Sequence, residues 1–186
     1  MSERKNVRQL SWAEFRRLSR AEILQMDFLP GWYATRTRRR VLAAAGLVPA
    51  ALMWISALLA ALITDRDVER WVYLGLGALV LVISIPVTGV LNTATRGATD
   101  LAERHLDEWQ LAHRLRVTAL AHRVTFGILG AAMAATLAVS AGKDEEFLIP
   151  GDVFLTMVIA LFLTHMIMPL VISAWRLPDP PPDDED

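Results

Sequence analysis

Four stretches of the chain contain no Asp, Glu, Lys or Arg: residues 41–64, 71–91, 124–142 and 153–175. They run for 24, 21, 19 and 23 residues. A helix needs roughly 18 or more predominantly apolar residues to cross the hydrocarbon core of a bilayer. A soluble domain of 186 residues has nowhere to put four such runs. The pattern excludes a soluble enzyme, a secreted disulfide domain and a disordered chain. Membrane strands are excluded too, because they need about ten alternating residues and these runs are longer and do not alternate. The predicted fold is all-α, an integral membrane four-helix bundle. Its spans are expected at about 41–64, 71–91, 117–141 and 153–175. A basic arm (1–40) precedes them, and an acidic Pro-rich tail (176–186), expected to be disordered, follows.

The net charge is only −1, yet the charges are unevenly placed. With four spans, the arm, the connector between spans two and three, and the tail share one side. That side carries sixteen basic residues and the other carries three. Basic residues near spans stay cytoplasmic. Both termini are therefore expected in the cytoplasm. The outer connectors are short and acidic, with Asp65, Asp67, Glu69, Asp144, Glu145, Glu146 and Asp152. Trp32, Tyr33, Trp71, Tyr73 and Trp175 lie near span ends, where amphipathic rings favour the headgroup region. The segment Thr37-Arg38-Arg39-Arg40-Val41-Leu42 has the look of a twin-arginine export signal. Its apolar run is too long, no small-residue cleavage site follows, and three more spans come after it. Arg36, Arg38, Arg39 and Arg40 read instead as membrane-surface basic anchors. The Ala- and Arg-rich composition fits the inner membrane of a bacterium.

The chain has no cysteine, so thiolate zinc sites, Cys-ligated iron–sulfur clusters and covalent c-type haem are excluded. No Asp or Glu lies in any span, which argues against an ion-coupled carrier acting alone. Pro49, Pro86 and Pro169 fall inside spans one, two and four and read as packing kinks. Span three is rich in small residues at four-residue spacing: Gly127, Ala131 and Ala135, and again Gly130, Ala134 and Ala138. Such spacing lets another helix approach closely. It is read as internal packing at the centre of the bundle, with a homodimer face as the alternative. Spans two and four carry the bulky residues and suit lipid contact or the outer part of the bundle.

His122 and His165 are the haem candidates, since two imidazoles from neighbouring helices can ligate one iron. Counted from the inner span ends, His122 lies about five residues deep and His165 about ten. Their depths then differ by about 7 Å, a poor match. No cofactor and no metal are expected.

Two cytoplasmic helices are expected. Residues 100–116 follow a plausible capping box, Asp100 with Glu103, and continue without Pro or Gly into span three. Residues 100–141 are therefore predicted as one helix whose first turns project as a stem. Leu101, His105, Leu106, Trp109 and His113 share its apolar face. The spacing of His105, Trp109 and His113 reads as a packing face rather than a metal or pH-responsive site. In the arm, Ser11 with Glu14 and Ser19 with Glu22 are two capping boxes. Trp12, Phe15, Leu18, Ile23 and Met26 line one face, beside Arg16, Arg17 and Arg20. This amphipathic helix lies either on an anionic membrane surface or on the stem. Three arginines without a recognisable motif do not make a nucleic-acid site, and none is expected.

No catalytic constellation is present: no Gly-rich phosphate loop, no His-Glu-x-x-His, and no serine with a paired base. The functional expectation is a multi-pass inner-membrane protein acting as a non-catalytic accessory or scaffold subunit. A transport component or oligomeric pore is the first alternative, and a haem- or quinone-linked membrane protein the second. The expected partners are the lipid bilayer and a protein partner or second copy, met through span three or the cytoplasmic helices.

Overall fold

The computed structural model describes residues 29–63, 65–103, 106–141 and 149–178, with Arg16, Leu18, Ser19, Glu22 and Ile23 of the arm. Trp12, Phe15, Arg17, Arg20, Met26 and His105 lie outside the described residues, as does the end of the tail. Among the described residues the structure is all-helical. A short 3-10 turn (Pro30–Trp32) leads into α1 (Arg36–Leu62), α2 (Arg66–Ala94), α3 (Glu108–Ala141) and α4 (Gly151–Arg176). All four helices are long and apolar enough to cross a membrane.

Polar side chains start these helices by satisfying backbone N–H groups that have no intrahelical partner. Thr35 Oγ1 accepts from the Arg38 amide at 3.3 Å. Asp65 Oδ1 accepts from Asp67 and Val68 at 2.9 and 3.2 Å. In the arm, the Ser19–Glu22 box is formed: the Ser19 amide donates to Glu22 Oε2 at 2.7 Å.

The single helix expected over 100–141 does not form. α2 ends in a left-handed turn, with Arg96 at φ 52° and Gly97 at φ 66°. The Gly97 amide returns to the Asn92 carbonyl at 2.8 Å, a helix-terminating bond. The chain then tucks in, burying Ala98 and Leu101. α3 begins only after a second box, in which Gln110 N donates to Asp107 Oδ1 at 2.7 Å and Asp107 N to Gln110 Oε1 at 3.1 Å. This pair, not Asp100 with Glu103, caps α3. Burying Leu101 against the bundle overrides a helical pattern that would have left it in water.

α1 and α4 form the central pair. α2 packs on α1 and only lightly on α4, and α3 packs mainly on α4, giving the lateral order α2–α1–α4–α3. This reverses two expectations. Span three is an edge helix and span four is central. The reason lies in α1, which buries Ala43, Gly46, Ala50, Met53 and Ala57 along one side. These recur at heptad positions and are nearly all small, so α4 can approach closely with Ala160 and Ala174, both fully buried or nearly so. Gly46 marks the tightest point. A methyl group there would come within 2.8 Å of Leu91 Cδ1 and 3.2 Å of Val171 Cγ2. Around it, Leu42, Val90, Leu91, Leu170 and Val171 form the larger apolar cluster. A smaller one, built on Met53, Val80 and Ala160, lies farther along the helices.

Candidate functional site

At one end of the bundle, the start of α1, the turn after α2, the start of α3 and the end of α4 are laced together. Arg39 is only 4% exposed. Its guanidinium donates to the Tyr33 and Leu177 carbonyls, both at 3.2 Å, joining the two ends of the helical unit. The Arg40 guanidinium lies 5.2 Å from the centre of the Trp175 ring, a cation–π contact. Arg38 donates to the Gly31 carbonyl. Arg39 is therefore not a surface anchor: the backbone carbonyls draw it inward. Arg36 and Arg16 remain exposed.

The predicted interaction face of the stem is divided. Leu101 is buried, Leu106 half-buried and Trp109 half-exposed. His113 is buried, with Nε2 3.1 Å from Ser173 Oγ on α4. Trp109 stacks on the His113 ring, with centroids 5.2 Å apart and planes 11° from parallel. Arg114 donates to the Leu101 carbonyl at 2.8 Å and ties the turn to α3. In the arm, Leu18 and Ile23 are half-buried. Among the described residues, no group of three or more His, Asp or Glu side chains is placed to hold a metal.

The small residues of α3 face away from the other helices. Gly127, Ala131, Ala134, Ala135 and Ala138 are exposed and Gly130 is half-buried. A methyl group on Gly127 or Gly130 would meet nothing within 4 Å. Within one chain these positions do not pack helix against helix.

His122 and His165, expected at different depths, are brought together. Their ring centroids are 5.6 Å apart, edge to face at 77°. They stand at one end of a groove of about 390 Å³ between α3 and α4. Phe126, Leu129, Val158, Leu161 and Phe162 make its walls, and Thr125 completes the polar end. Sequence reasoning missed Thr125, although it follows His122 by three residues and so shares its helix face. A second cavity, about 350 Å³, lies above Gly46 and Ala50 of α1, with Ser84, Thr88 and Asn92 along its α2 side. The four-residue spacing of that polar row was visible in the sequence.

No family model matches the chain, and no curated protein or solved structure is detectably similar to it.

Proposed function

We propose that the chain is a multi-pass protein of a bacterial inner membrane, with both termini in the cytoplasm. It serves as a non-catalytic accessory or scaffold subunit that joins a larger complex through α3. One observation carries this reading: α3 is a full-length apolar helix held mainly by α4. Its outward faces present a run of small residues beside Phe126, Met133 and Leu137, which are more than 60% exposed. Small residues on a lipid-facing helix give a neighbouring helix a surface for close approach. Lipid chains supply no comparable interlocking.

The charge placement supports the threading. The ends of α1 and α4 that meet through Arg39 belong to the basic side, as does the turn after α2. Mild solubilisation followed by native mass spectrometry tests the proposal. The expected species is heavier than one chain and is lost on Ala131→Leu. A chain that stays single in every mild detergent and in nanodiscs would refute it.

A further inference from the structure

We propose that the groove headed by His122, Thr125 and His165 binds the ring of a membrane quinone, with its isoprenoid tail running toward Leu129. The inference goes beyond the subunit role and rests on the reading of these helices as membrane spans.

Three observations converge. First, one polar group at the head of the groove is buried and orphaned, and the two imidazoles beside it are exposed on the open side of the groove. Neither imidazole makes a hydrogen bond among the described residues, and Thr125 Oγ1 is buried with no partner. A buried or half-buried helical threonine elsewhere in this chain behaves differently. Thr88, Thr93, Thr136, Thr156 and Thr164 each return the hydroxyl to a carbonyl three or four residues back. Thr125, 8% exposed, does not. A buried hydroxyl without a partner is unfavourable, and ionisable side chains at membrane depth are rare outside functional sites.

Second, the head can donate hydrogen bonds, from imidazole N–H and threonine O–H, and holds no carboxylate or lysine. It suits an uncharged ligand with carbonyl acceptors.

Third, the groove is open along its outer side and mostly apolar, with its few polar groups gathered at one end, so a ligand in it would lie between the protein and lipid. Phe126 and Phe162 flank the head, and aliphatic side chains continue along the helices. A planar dicarbonyl ring carrying an apolar tail matches all three features. A metal ion fits less well, because the two imidazoles form an incomplete ligand set. A haem fits less well too, because rings 5.6 Å apart and in edge-to-face contact leave no room for a macrocycle between them.

The test uses the full chain in lipid nanodiscs, titrated with a decyl-tailed 1,4-benzoquinone. Bound quinone is measured against empty nanodiscs. Saturable binding of one equivalent is expected. Thr125→Val, which removes only the orphaned hydroxyl, should weaken binding about three- to tenfold, the worth of one hydrogen bond, while leaving the melting temperature unchanged or higher. His165→Phe keeps the ring shape and should weaken binding by at least as much. Uptake no greater than in empty nanodiscs would overturn the proposal, as would equal binding by both variants. A Soret band in the purified protein, or stoichiometric zinc uptake abolished by His122→Phe, would also overturn it. Release of the chain from native membranes by alkaline carbonate would sink the membrane reading itself. A chain that stays in the membrane and takes up no quinone overturns the quinone site alone.

Discussion

His113 on α3 meets Ser173 on α4 at 3.1 Å, and this buried hydrogen bond sets the antiparallel register of the two helices. Nine residues farther along α3 stands His122, and eight residues back along α4 stands His165. The two imidazoles therefore lie level to within about one residue rise, ~1.5 Å. Ser173→Ala should leave the His113 nitrogen buried without a partner. The expected loss is ~1–3 kcal/mol, read as a lower melting temperature in detergent. An unchanged melting temperature would show that this bond does not hold the register.

The two glycine- and alanine-rich helices should answer differently to enlargement. Gly46→Leu places a side chain where even a methyl group would sit 2.8 Å from Leu91. It should destabilise the single chain by ~1–3 kcal/mol, as overpacking does. Gly130→Leu and Ala131→Leu have open space around them and should stay within about 0.5 kcal/mol of the parent. Their effect should appear instead as loss of the larger complex in native mass spectrometry.

Arg39 and Arg36, three residues apart, should also separate. Arg39→Gln removes the bridge from Tyr33 to Leu177 and should cost about 1.5–3 kcal/mol, the range for hydrogen bonds to charged groups. Arg36→Gln, at an exposed position, should change stability by less than about 0.5 kcal/mol. Thermal melting of the two variants side by side makes the comparison.

Threading is open to a direct check. Reporter fusions after residue 186 should show cytoplasmic activity, and an insertion within 65–70 should show the opposite. Extracytoplasmic activity of the terminal fusion would invert the orientation.

Glu22 offers a pH test. The Ser19 hydroxyl and amide hydrogen bonds hold its carboxyl below the ordinary glutamate value. Because the folded value is the lower one, the stabilisation of the box is full above the unfolded pKa, about 4.3, and is lost as pH falls through the folded value. Titration of the labelled Glu22 carboxyl in the intact chain should give a midpoint below that of Glu22 in Ser19→Ala. Identical midpoints would mean that the box is not populated.

The four long helices were legible in the sequence because charge is excluded from long apolar runs, and α1, α2 and α4 begin or end within a few residues of the charges that bound them. Neighbour relations were not legible. Small residues at four-residue spacing permit close approach but do not say to which helix. The same chemistry occurs at Ala43, Gly46 and Ala50, hidden within an Ala-rich run, and it is there that the core formed. The level of His122 against His165 was not legible for a related reason. Arg114 and Arg116 made residues 111–116 look external. Their long side chains turn to backbone carbonyls, Arg114 to Leu101 and Arg116 to Ala112. The helix itself lies beside the last turns of α4, as the His113 contact shows. The capping pair Asp107 and Gln110 was the available sign that α3 begins late.

The Arg39 bridge also imposes an order on biosynthesis. Its acceptor, the Leu177 carbonyl, comes 138 residues later in the chain. At about 5–20 residues per second, roughly 7–28 s of translation separate the two. The first helix must hold its guanidinium in an interim setting while the rest of the polypeptide is made. A ribosome stalled anywhere before residue 177 leaves that latch open.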